Sequence, residues 1–374
     1  MATARKTRLS VGYNGKNISR SIKPYIESFR YTDVASGESD AIDITLNDRS
    51  YLFMKKMPLK GDKINVSILR HNWTKSGDTR RFNCGKFFLD DLSFSEPPRI
   101  CEIGAVSSPV KGEFKSTSRT KTYKNVTLRE IAKTIAKRAK MTLHYSAPSI
   151  RIKEVQQNKQ ADSDFLLSLC QEYGMGLKLY NGKIVVFSEE TYEQKKVKCT
   201  LHRKEVVEYS WNTTLQGTYT GAKVSFTGAD ANKTTKITIG RSGRMYTAEV
   251  SASTSAEAVW KAKAKLAEEN KKRTTMTITV MPGKNIVATD TIKVAGFYKL
   301  SGKYYVDKVE HSISPTSGYT QTLTLHKVSP RVGTKITSKQ VITKKTKKKT
   351  KKSTTKKKAT SSQTGKTDGT SKNS

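Results

Sequence analysis

Gly85-Lys86-Phe87-Phe88-Leu89-Asp90-Asp91-Leu92 returns further along the chain as Gly302-Lys303-Tyr304-Tyr305-Val306-Asp307-Lys308-Val309. A second shared stretch precedes each copy: Gly61-Asp62-Lys63-Ile64-Asn65-Val66 before the first, Thr289-Asp290-Thr291-Ile292-Lys293-Val294 before the second. A proline break follows each, at Pro97-Pro98 and at Pro315, and then another apolar stretch. Two matches in the same order read as one β unit used twice. The alternative is two unrelated strands that share common β residues. A duplicated unit lets a few copies of a chain build a ring with more positions than subunits.

Around the first copy, residues 1–119 read as a β-barrel domain. Asn14-Gly15 signals a tight hairpin. Ile42, Ile44 and Leu46 alternate with Asp43, Thr45 and Asn47, as do Ile64, Val66 and Ile68 with their neighbours. The polar stretch His71 to Arg81 reads as a hairpin loop, and no convincing helix is expected here. Residues 120–199 read as an α/β insert. Thr127-Leu128-Arg129-Glu130 is a capping box ahead of Leu128, Ile131, Ile135 and Ala139 at helical spacing. A second helix is expected from Asp162 or Ser163 to Tyr173-Gly174, then a hairpin turning at Asn181-Gly182. Around the second copy, residues 200–330 read as a second β-barrel domain with one helix, opened by Thr254-x-x-Glu257. The apolar phase switches between Val306 and Val309, which predicts a β-bulge. The fold class is therefore α+β, mostly β: two tube-like barrel units, an α/β insert and a tail.

The tail, 331–374, changes character. Fourteen lysines and one aspartate fall between Val332 and Ser374, so thirteen of the +38 net charges sit there and +25 remain on residues 1–331. Such a segment buries too little apolar surface to offset its ordering entropy and is expected to be disordered. Lys344, Lys345, Lys347, Lys348, Lys349, Lys351, Lys352, Lys356, Lys357 and Lys358 are the candidate contacts for an acidic partner, DNA or protein. The bland reading is a solvated run with no specific partner. No aromatic residues interleave with these lysines, so no stacking platform for single strands is expected.

Catalytic chemistry is hard to find. Asp90-Asp91 are adjacent on a strand and point to opposite faces, so they do not converge as an acid–base pair. His311 and His326 lie in strands without serine or cysteine partners and read as packed or surface imidazoles. Cys84, Cys101, Cys170 and Cys199 lack metal-ligand spacing and read as free thiols. Gly174-x-Gly176 is too short for a phosphate loop. No Walker loop, GxSxG elbow or HExxH occurs. No cofactor, metal, membrane span or secretory signal is expected, and the expectation is of a protein that is not an enzyme.

The stretch Asp164-Phe165-Leu166-Leu167-Ser168-Leu169-Cys170-Gln171-Glu172-Tyr173-Gly174, the hairpin over Leu177 to Phe187, and Tyr304-Tyr305-Val306-Asp307-Lys308-Val309-Glu310-His311 together resemble the phage late-control protein D family. That family includes the baseplate hub of contractile tails and the hub portion of VgrG proteins, and the resemblance covers roughly residues 1 to 330. It implies a structural homotrimer, each chain giving two barrel units to a six-position ring that mates a sixfold tail tube to a threefold spike. The implied partners are the tail tube protein, a spike, other baseplate proteins and DNA in transit. The implied location is a virion or injection-particle baseplate assembled in the host cytoplasm. No spike domain follows Pro330, so the spike is expected to be a separate chain. Contractile and non-contractile tails both stay open. A basic nucleic-acid-binding protein acting through its tail is the alternative function, and a cell-wall enzyme of a tail tip is a third, which lacks a catalytic constellation.

Overall fold

The structure is a computed structural model that describes residues 4–107, 113–215, 218–227, 233–329 and 336–342. The first unit runs β1 (Lys6–Tyr13), β2 (Lys16–Asn17), α1 (Ser19–Ile22), β3 (Ile26–Val34), β4 (Ala41–Asn47), α2 (Leu52–Lys56), β5 (Lys63–His71), β6 (Thr79–Ser95) and β7 (Ile100–Val106). Asn14 and Gly15 both take positive φ, 46° and 84°, and join β1 to β2 as a two-residue hairpin. The alternation at Ile42, Ile44 and Leu46 sends those side chains into the core and Asp43 outward. Two short helices, α1 and α2, were not legible: at four and five residues they are too short for a periodicity to register.

The insert comprises α3 (Glu113–Ser116), β8 (Ser118–Thr127), α4 (Leu128–Arg138), β9 (Thr142–Ser146), β10 (Arg151–Ala161), α5 (Asp162–Glu172), β11 (Met175–Tyr180), β12 (Lys183–Ser188) and α6 (Glu189–Glu193). Thr127 closes the expected capping box: its hydroxyl accepts from Glu130 N–H, and Glu130 reaches back to Thr127 N–H at 2.7 Å. Leu128, Ile131 and Ile135 turn inward onto Phe165, Leu166 and Leu169 of α5. Gly174, at φ 70°, ends α5, and Asn181-Gly182 turns the β11–β12 hairpin.

The second unit is β13 (Cys199–His202), β14 (Val206–Thr213), β18 (Thr274–Val280), β19 (Thr291–Ala295), β20 (Gly302–Ser314) and β21 (Gly318–Lys327). Between β14 and β18 the chain leaves to build β15 (Gly221–Thr227), β16 (Lys233–Gly240), β17 (Met245–Glu249) and α7 (Ser255–Lys271). With β22 (Ile336–Ile342) these strands form a separate sheet, ordered β17-β15-β16-β22. The expected single helix of the second unit is α7, and it packs on this extra sheet rather than on the barrel strands. Within the tail, Ile336–Ile342 pairs with β16 as a strand; the rest, 330–335 and 343–374, lies outside the described residues.

The repeat extends to register. Val66 pairs with Gly85 and Ile64 with Phe87; Val294 pairs with Gly302 and Ile292 with Tyr304. Both copies bulge at the same aspartate, between Leu89 and Asp91 in β6 and between Val306 and Lys308 in β20, the second as the phase switch predicted. The turn before each copy is also shared: Asp62 Oδ2 accepts from Leu59 N–H, and Asp290 Oδ2 from Val287 N–H, both at 2.8 Å. Strand orders coincide, β3-β4-β7-β6-β5-β1 and β14-β18-β21-β20-β19-β13. One difference is direction, since β13 runs parallel to β19 whereas β1 runs antiparallel to β5. The units are not separate barrels: β20 pairs with β3, and the two merge into one 13-stranded sheet.

Candidate assembly surface

The β20–β3 seam is the contact that defines the molecule. After its bulge, β20 turns from β19 to β3, pairing Val309 with Asp33, His311 with Tyr31 and Ile313 with Phe29. Two polar links flank the ladder: Ala35 N–H donates to Asp307 O and Ala288 N–H to Asp33 Oδ2, both at 2.8 Å. Arg70 crosses from the first unit to Pro282 O at 2.8 Å and to Asn285 Oδ1 of the second. Apolar groups close the seam, with Val287 and Ile313 of the second unit packed on the core of the first.

The insert sits on the same seam. Lys178 of β11 reaches Asp33, Asp40 at 3.0 Å and Val34 O at 2.7 Å, all inside the first unit. Burial pushes the Asp40 carboxyl up to about 6, with Lys178 opposing and Asp33 adding to the rise. Burial works against the Lys178 charge, yet the two carboxylates hold its pKa above the ordinary value. Tyr173, at the end of α5, donates to Glu257 of α7 at 2.8 Å. The expected capping box of α7 is thereby altered: Thr254 still accepts from Glu257 N–H, while the Glu257 carboxylate turns to Ser253 N–H and Tyr173.

His311 and His326 are packed. His311 is fully buried against Phe82, with ring centroids 4.6 Å apart, and its Nδ1 shares a hydrogen bond with the Tyr319 hydroxyl at 2.8 Å. Burial and then Arg70 lower its pKa to about 3, so it is neutral. His326 stands 2.8 Å from Asp307 and 3.3 Å from Glu193; burial opposes its charge, but these carboxylates win and raise its pKa to about 9. Asp90, the repeat counterpart of Asp307, is exposed, as is Asp91; the bulge between Leu89 and Asp91 breaks the strict alternation that the sequence reading assumed for this pair. Cys84, Cys101 and Cys170 are buried with thiols pushed up by burial. Among the described residues no cluster of metal-ligating side chains occurs, and no helix is long and apolar enough to cross a membrane.

Two β units of one strand order and one register, fused edge to edge, are the architecture against which known proteins can be compared. The fold matches a tail protein from Neisseria meningitidis MC58, at TM-score 0.64 and 14% identity, over 86% of this chain and 96% of that one. It also matches the E. coli c3393 protein, a component of the type VI secretion system, at TM-score 0.53 and 14% identity, over 88% of this chain and 78% of that one. In sequence, 214 residues are 27% identical to the probable baseplate hub protein of Escherichia phage 186. That match takes in 56% of this chain and about half, 53%, of the relative's length. Residues 110–315 match the family model described as the Alg8 N-terminal domain, a description that names no activity. The chain belongs to that family, and its fold is that of the tail proteins it matches.

The protein carries its distinguishing contacts in residues that no motif announced. Asp33, Asp40 and Lys178 are scattered charges in sequence, and only the fold gathers them. Asp307 had a signal, because the repeat placed an aspartate at the bulge in both copies. The ten lysines from Lys344 to Lys358 lie outside the described residues. Among the described residues, exposed large apolar side chains gather in two places, Val207, Tyr209, Trp211 and Leu215 on and just after β14, and Met54, Met57 and Leu59 between the start of α2 and β5, while Val197, Met281 and Tyr298 stand apart.

Proposed function

We propose that this protein is a baseplate hub that acts as a structural homotrimer without chemistry, three chains giving six barrel positions to a ring. The ring would seat a sixfold tail tube on one side and a separate threefold spike on the other, with other baseplate proteins around it and DNA passing through. The observation that carries the reading is the coincidence of strand order, register and bulge between the two units. Similar units side by side are what a threefold chain needs to present a near-sixfold face. Class averages of the purified protein by electron microscopy test it: rings with threefold symmetry and six similar lobes support it, and isolated single particles of two lobes overturn it.

The basic charge favours an acidic partner as a second element of this reading. Lys344 to Lys358 would contact DNA or an acidic neighbour on the particle. Removing 343–374 keeps β22 in place and tests this. A DNA affinity that falls steeply with salt and vanishes on truncation supports the contact, and unchanged binding sinks it.

A further inference from the structure

The seam inside the chain has a counterpart that nothing among the described residues fills. In the repeat, Val309 to Ser312 of β20 correspond to Leu92 to Ser95 of β6, through the shared glycine and bulge. Partner strands align as well: Phe29, Arg30, Tyr31 and Thr32 of β3 face Ile44, Asp43, Ile42 and Ala41, as Tyr209, Ser210, Trp211 and Asn212 of β14 face Ile278, Thr277, Met276 and Thr275. In the chain, β20 covers the outer edge of β3. Among the described residues, β14 pairs only with β18, and Leu92–Ser95 pairs only with β7.

The uncovered edges carry side chains suited to being covered. Phe29 and Tyr31 are 1% and 2% exposed beneath β20, whereas their counterparts Tyr209 and Trp211 are 39% and 44% exposed. Val287, at the turn position equivalent to Leu59, packs on the neighbouring unit's core, while Leu59 itself is 65% exposed. Two residues beyond β14, Leu215 is 78% exposed; its counterpart Ala35 is 5% exposed and donates its N–H across the seam. Open strand edges and exposed aromatic anchors are liabilities unless a partner covers them.

We propose that Leu92–Ser95 of one copy pairs antiparallel with β14 of the next copy, in the register Leu92 with Thr213, Ser93 with Asn212, Phe94 with Trp211 and Ser95 with Ser210. Phe94 and Trp211 take the places of His311 and Tyr31, and Leu59 packs on the next copy's second unit. The contact is head-to-tail, so it either closes into a ring or runs on as a filament. It rests on the trimeric reading above, in which three seams within chains alternate with three between chains.

The test is a full-length chain carrying Cys199→Ser with Ser93→Cys and Asn212→Cys, two exposed positions, oxidised and run on a denaturing gel beside light-scattering mass. The register predicts covalent dimers and trimers. The displaced pair Ser93→Cys with Ser210→Cys should give about tenfold less product, because diagonal neighbours exceed disulfide reach. Trp211→Glu, with its circular dichroism spectrum unchanged, should convert trimer to monomer. A trimeric mass with no cross-link, or equal product from the displaced pair, overturns this pairing and leaves the trimer standing. A monomeric mass with no cross-link overturns both.

Discussion

Replacing Lys178 with alanine should separate the insert from the first unit. The ammonium is buried between Asp33 and Asp40, whose side chains are 5% and 0% exposed. Asp40 keeps two further donors, Val34 N–H at 3.1 Å and the Tyr31 hydroxyl at 3.4 Å, and Asp33 keeps Ala288 N–H. These hydrogen bonds do not neutralise two carboxylates that share one dry site. Removing one partner of such a buried cluster costs about 3–5 kcal/mol. At roughly 2–4 °C per kcal/mol, the unfolding transition that reports the first unit should fall by at least about 6 °C at pH 7.5. The sign with pH follows from linkage. Asp40 already binds its proton more tightly folded than unfolded, and losing the opposing Lys178 charge strengthens that, so the variant's deficit shrinks as pH falls through about 6, where Asp40 titrates. Calorimetry at pH 7.5 and 5.5 reads both effects. A variant within about 1 kcal/mol of the parent at pH 7.5, or a deficit that does not shrink at pH 5.5, would refute the reasoning.

His326 makes a second, opposite pH prediction. Its raised pKa, about 9 against an ordinary 6.5, contributes stability fully present below pH 6.5 and lost as pH rises through 9, on the order of 3 kcal/mol; His326→Gln should flatten that slope in denaturant titrations between pH 6.5 and 9. Gly176→Ala should cost about 1–3 kcal/mol, since a methyl would sit 2.7 Å from Phe187 Cε1 in the facing strand; an unshifted melting curve would contradict this. Cys170, buried with its pKa pushed up to about 12, should resist maleimide labelling in the folded protein and react once denaturant unfolds the insert; rapid labelling of the native protein, read by intact mass, would count against the packing described.

The repeat, the Thr127 capping box, the Asn14-Gly15 and Asn181-Gly182 turns and the β20 bulge were legible because each is set by local chemistry: glycine and asparagine at positive φ, a cap satisfying orphan donors, a phase break in an alternating strand. What escaped was non-local. No spacing reveals that β20 abandons β19 for β3 about 280 residues away, since pairing partners are chosen by the folded surface. The small sheet of β15, β16, β17 and β22 was hidden because its strands are short, threonine- and lysine-rich, and completed by a strand from the basic tail. The seam charges Asp33, Asp40 and Lys178 looked like surface residues, and their pairing depends on two elements meeting. Exposure of Tyr209 and Trp211 was equally invisible, because in sequence an aromatic strand residue reads as core whichever edge it lines.

The most direct test of the central claim is the solution mass of the purified full-length protein by light scattering at moderate salt, repeated without residues 343–374. A trimer in both samples, three times the 41.7 kDa chain mass for the full-length protein, is the predicted result and assigns assembly to the β units. A monomer in both samples at every concentration would contradict the claim.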